Sequence, residues 1–158
     1  MALTEDDLAH LRRCVELARE ALTTGDEPFG SVLVDAQGRR VFAERNRVGG
    51  GDATRHPELA IALWAVENLT PDERARSSVY TSGEHCPMCA AAHAWVGLGR
   101  IVYAVSSAQL TGWLQEWGAP ASPVAPLPIA TVAPGLVAEG PVEMFAAEMA
   151  ALHREANA

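Results

Sequence analysis

No apolar run in this sequence approaches the ~18 residues that a membrane span needs, so a membrane partner is not expected. Cysteine is scarce: Cys14, Cys86 and Cys89 are an odd set of 3, which excludes a disulfide framework and leaves metal ligands or core filler. Positive charge is also short, with 12 basic residues against 20 acidic ones and a net charge of −8. Proteins that bind polynucleotides through phosphate contacts need a basic surface, so a nucleic-acid partner is disfavoured and a small, uncharged ligand fits better. The opening stretch, Met1 to Asp7, is acidic and lacks the basic start of a secretory signal, so a cytoplasmic location is expected.

What is present is an ordinary globular composition, 49% hydrophobic over 158 residues, enough for one domain spanning residues 1–158. Thr4 and Asp7 read as a helix start. Leu8, Leu11, Val15, Ala18 and Leu22 then recur at helical spacing, with Cys14 beside them as buried filler and Gly25 as the stop. Ser31–Val34 and Val41–Ala43 flank Asp35-Ala36-Gln37-Gly38 as an antiparallel hairpin. A helix is expected from about His56 to Asn68, a strand at Val79–Thr81, a second helix from Cys86 to near Gly97, and a strand at Ile101–Val105. A short helix with Trp113 and Trp117 follows. A Pro-rich connection at about 119–128 then leads to a weak strand around Ile129–Val132 and a last helix carrying Phe145, Met149 and Leu152. This order predicts a three-layer α/β/α sandwich built on a mixed five-stranded sheet.

The chemistry concentrates at two helix starts, His56-Pro57-Glu58 and Cys86-Pro87-Met88-Cys89. One imidazole and two thiolates suit tetrahedral Zn²⁺, and the positive end of a helix favours thiolate over thiol. A structural zinc takes four protein ligands, whereas a catalytic one keeps a position open. Cys14 lies on a core stripe and His85 adjoins Cys86, so neither suits a fourth place, and one Zn²⁺ with an open position is expected. Glu58 lies where a carboxylate can take a proton from a water made acidic by the metal, toward a pKa of ~7, and pass it on. The plainer possibilities are a structural zinc and a first-turn carboxylate favouring the helix dipole by ~0.5 kcal/mol.

His-x-Glu followed about thirty residues later by Cys-x-x-Cys resembles the cytidine deaminase superfamily. Pro28 to Val34 is similar to the first strand of its nucleobase and tRNA deaminase branch. Tyr80 to Glu84 and Ala91 to Trp95 are most similar to bacterial guanine deaminases. The resemblance runs from about Leu8 to Trp113 and implies Glu58 as the general acid and base and Asn46 as the residue holding the ring edge. It also implies a cytidine deaminase-type fold and a homodimer, for which the last helix and nearby tryptophans offer an apolar face.

The expected activity is hydrolytic release of ammonia from a free aminated heterocycle: a guanine-like purine first, then cytosine, adenine, a pterin or a triazine. Phe29 and Trp95 are candidate stacking surfaces and His85 a candidate substrate contact. Three residues depart from the family: His85 where Pro is usual, Pro57 where Ala is common, and Gln109 where guanine deaminases tend to be acidic. Two rivals stand beside this reading, a tRNA adenosine deaminase and a non-catalytic zinc module that binds a partner.

Overall fold

The computed structural model describes residues 2–158. Its elements in chain order are α1 (Glu5–Thr23), β1 (Gly30–Val34), β2 (Arg40–Arg45), α2 (Pro57–Asn68), α3 (Pro71–Ala75), β3 (Ser78–Gly83), α4 (Pro87–Trp95), β4 (Ile101–Val105), α5 (Ser107–Glu116), α6 (Ile129–Val132), β5 (Ala138–Glu139) and α7 (Ala146–Ala156). The sheet order is β2-β1-β3-β4-β5. β1 runs antiparallel to both β2 and β3, and β3, β4 and β5 are mutually parallel, giving the expected mixed five-stranded sheet.

The period-2 alternation of the strands divides the core into two faces. Val32, Val34, Tyr80 and Val102 meet α1 and α7 through Leu11, Val15, Phe145, Met149 and Leu152. Leu33 and Val79 point the other way, against Ile61, Ala62 and Ala65 of α2. Ile101 meets Ala90 of α4 and Ile129 of α6 on that same face. Cys14 is fully buried in the first of these layers, as core filler. Among the described residues no helix is long and apolar enough to cross a membrane.

Two sequence expectations need correction. Ile129–Val132 is a turn of helix, not a strand, because Pro128 caps it and the Glu84 carboxylate accepts the Ile129 N–H at 2.9 Å. The fifth strand is the two-residue Ala138–Glu139, and it ends at Gly140, where a Cβ would lie 2.3 Å from the Tyr103 carbonyl oxygen. The helix expected from about His56 to Asn68 is α2, and α3 follows it at once, with Thr70 and Glu73 forming a capping box. The last helix does not offer a free apolar face either: Phe145, Met149 and Leu152 are in the core. Large exposed apolar side chains come instead from α2 and α4, with Leu63 60%, Val66 51% and Trp95 88% exposed.

One polar network ties the first helix to the far side of the sheet. Asp7 completes the α1 capping box with Thr4, and its Oδ1 accepts from the Tyr80 hydroxyl at 2.6 Å and from Arg100 at 2.9 Å. Arg100 also donates to Glu139 of β5 at 2.6 Å. Burial pushes the Asp7 carboxyl up, but the bonds from Arg100, Tyr80 and the Thr4 N–H outweigh it and hold the group well below the usual carboxylate range. An unfolded chain therefore takes up this proton first as pH falls. The stabilisation from Asp7 is complete above about pH 4 and is lost below it. Asp7→Ala is expected to lower stability by about 2–3 kcal/mol at pH 7 in urea titrations, with a smaller deficit at pH 3. An equal deficit at both pH values overturns the ionic account.

Candidate metal centre and active-site cavity

α2 and α4 begin alike. His56 is the N-cap of α2 and Cys86 the N-cap of α4, both in extended backbone, and each is followed by a proline at the first helical position. Proline fits there because its missing N–H would lack an intrahelical partner anyway. β3 delivers Cys86 directly, and the loop after β2 delivers His56, so both helix starts meet at the carboxyl end of β3.

The His56 Nδ1 lies 3.4 Å from the Cys86 Sγ and 3.6 Å from the Cys89 Sγ. Tetrahedral zinc, with Zn–S about 2.3 Å and Zn–N about 2.0 Å, separates a sulfur and a nitrogen ligand by about 3.5 Å. All three donor atoms lie within 4.8 Å of one another, and no other such cluster occurs among the described residues. The donor set therefore fits zinc in identity and spacing. Cys14 is sealed in the α1 layer and is no fourth ligand. The Cys86 thiol is held down to about 4 by the hydrogen bond from Cys89, helped by His56 and the Cys89 N–H against the effect of burial. That contact and burial push the Cys89 thiol up, and a separate hydrogen bond with Cys86 is the main influence raising His56.

Glu58 stands in the first turn of α2, buried, at the floor of a cavity of about 450 Å³. Burial pushes its carboxyl up, opposed by the Thr81 hydroxyl and His56. Its Oε1 accepts from Ser31 at 3.0 Å and from Thr81 at 2.8 Å. Phe29, His56 and Cys86 share the floor. The outer wall comes from Leu110, Thr111 and Leu114 of α5, the Pro-rich stretch from Pro120 to Pro126, and His153 and Asn157 at the C-terminal end of the chain. Three carboxylates, Glu27, Glu58 and Glu84, line the cavity, and no arginine does. Glu84 ties the wall down by accepting the Ser107 and Ile129 N–H groups, each at 2.9 Å.

The expected site residues divide. His56, Cys86, Glu58 and Phe29 line the cavity, and Cys89, itself fully buried, joins His56 and Cys86 in the donor cluster. Asn46 is buried and does not itself line the cavity, though it is bonded to Glu27, which does. Its Oδ1 accepts from the Glu27 and Val48 N–H groups at 3.3 and 3.0 Å, and no partner among the described residues takes its side-chain nitrogen.

Trp95 does not line the cavity. At 1.5 Å per residue, α4 carries it about 9 Å beyond Cys89 and out into solvent. His85 does not line it either. Extended chain alternates its side chains, so Glu84 and Cys86 face the cavity while His85 turns inward, edge-on to His93 at 5.3 Å, with neither ring nitrogen hydrogen-bonded.

His153 was not expected here. It follows Met149 by one helical turn, and a polar ring on an otherwise apolar stripe was the sequence signal for it.

Residues 4–105 match the family described as the cytidine and deoxycytidylate deaminase zinc-binding region. The chain belongs to this deaminase family. A probable cytosine deaminase of Schizosaccharomyces pombe is 35% identical over 118 residues, covering 73% of this chain and 70% of that protein. A guanine deaminase of Bacillus subtilis is 33% identical over 95 residues, covering 60% of this chain and 61% of that protein, less than two thirds of its length. The solved guanine deaminase of Nitrosomonas europaea superposes with a TM-score of 0.72 at 21% identity, covering 99% of this chain and 86% of that one, a likeness of fold. tRNA-specific adenosine deaminases are also among this deaminase's relatives. The family match ends with β4, so α6 lies outside it, as do α5, α7 and the Pro-rich stretch, which wall the cavity.

Proposed function

We propose that this deaminase hydrolyses the amino group from a free, unphosphorylated heterocycle, with a guanine-like purine as its first substrate and cytosine, a pterin or a triazine as others. One observation carries the reading: a buried carboxylate stands beside a three-donor zinc set in a cavity with three acidic side chains and no arginine. No arginine or lysine lines the cavity to pair with a phosphate, which argues against nucleotides and tRNA.

His56, Cys86 and Cys89 hold the zinc, whose Lewis acidity lowers the pKa of water toward ~7. Glu58 takes a proton from the attacking water and returns protons to the ring nitrogen and the departing amine. Water and a C–NH₂ group become a C=O group and ammonia. Phe29 offers a face for the ring, and His153 packs edge-on against it at 4.9 Å. Burial holds His153 down to about 4, so it is neutral at pH 7 and can donate to or accept from a ring edge. Asn46 offers its side-chain nitrogen to a ring acceptor.

The test is ammonia release by the zinc-loaded protein from guanine, cytosine, adenine, a pterin and a triazine. Release from at least one free ring, insensitive to salt, is expected. Silence across the panel, with deamination of a tRNA anticodon stem-loop, would give the site to the tRNA enzyme. His153→Ala is expected to raise KM about tenfold and leave kcat within about twofold in steady-state assays. An unchanged KM removes His153 from substrate recognition.

A further inference from the structure

Glu58 has two carboxylate oxygens, and the protein treats them differently. Ser31 and Thr81 face each other across the antiparallel β1–β3 pair, on the side of the sheet that α2 covers. Both are fully buried, and both aim their hydroxyls at the same atom, Oε1 of Glu58, at 3.0 and 2.8 Å. The two hydroxyl oxygens are also 2.8 Å apart, and the Thr81 hydroxyl is within 3.0 Å of the Gly83 carbonyl. No hydroxyl among the described residues reaches Oε2, while Glu58 itself borders the cavity. Buried polar groups in a strand interior need a reason, because valine or alanine packs there with no polar group to satisfy. Here the reason is local: the pair forms a rigid rest for one oxygen of a side chain that has three rotatable bonds of its own.

We infer that Ser31 and Thr81 are positioning residues that fix Oε1 of Glu58, leaving Oε2 as the oxygen that exchanges protons with water and substrate. This rests on the deaminase reading of Glu58. The two strands belong to the rigid sheet, so their register sets where the carboxylate points, and the helix bearing Glu58 is aligned to the strands from below. Displacing a reacting group by about 1 Å can cost 10²-fold in rate without touching the substrate's own contacts. The pair therefore acts on kcat and leaves KM alone.

The experiment compares the wild type with Ser31→Ala, Thr81→Val, the double variant and Thr81→Ser. The double variant is expected to lose about 30- to 100-fold in kcat, with KM within about twofold and one zinc per chain retained. Thr81→Ser, which keeps a hydroxyl, is expected to recover most of the wild-type kcat. A double variant with wild-type kcat, or one whose loss falls on KM, overturns the inference.

Crystal structures of the zinc-loaded proteins give a readout independent of turnover. Glu58 is expected in one rotamer in the wild type and spread over several in the double variant. An unmoved Glu58 in the double variant overturns the inference whatever the activities. A wild type that releases no ammonia, yet whose Glu58 is freed only in the double variant, brings down the deaminase reading and leaves the rest for Glu58 standing.

Discussion

Glu58→Gln is expected to lower kcat for ammonia release by at least about 10³-fold while the protein stays folded and keeps its zinc. Glutamine has the same shape and can still accept the hydroxyls of Ser31 and Thr81, but it cannot carry a proton from water to an amine. Burial works against the ionised form of Glu58, so the neutral amide relieves a penalty and the melting temperature is expected to hold or rise. The two measurements together separate the roles. A carboxylate present only to favour the α2 dipole would leave the rate intact and lower stability slightly. Near wild-type turnover would remove Glu58 from the proton transfers.

The second large effect concerns the metal. Chelating zinc from the protein is expected to abolish ammonia release and to lower the melting temperature by about 10 °C, with both restored by one equivalent of zinc. Binding at a thousand times the dissociation constant stabilises by about 4 kcal/mol. For a chain of this size each kcal/mol moves the midpoint by about 2–4 °C. The effect is large because the three ligands join the starts of two helices that pack on the same face of the sheet. Cys86→Ala should reproduce the chelated state with zinc in excess. A Cys86→Ala protein that still binds one zinc tightly would remove Cys86 from the ligand set.

The floor of the site was legible in the sequence, and its wall was not. His56, Glu58, Cys86 and Cys89 could be read because the chemistry demands those residue types at two helix starts, and short-range spacing places them there. Trp95 was misread because it sits on the right helix at the wrong end: the aromatic was visible, but not the distance along α4. His85 failed for a related reason, since a one-residue step in extended chain reverses the direction of a side chain. Ile129–Val132 looked like a strand because β-branched residues are common there. Its helical turn depends on a hydrogen bond from residue 129 to Glu84, a contact that no local pattern encodes. Ser31 and Thr81 each passed for ordinary strand residues, and only the β1–β3 register puts them under one carboxylate.

The hold of Glu84 on α5 and on the end of the Pro-rich stretch has an evolutionary consequence. Glu84 sits two residues before Cys86 and binds only backbone N–H groups, those of Ser107 and Ile129. A main-chain anchor is indifferent to the side chains it carries. The segments that Glu84 holds can therefore drift, lengthen or be replaced, while the four residues proposed to hold the metal and move the proton keep their places. The molecule is a socket with an exchangeable fitting, and new ring specificities can arise in it by changing only the fitting.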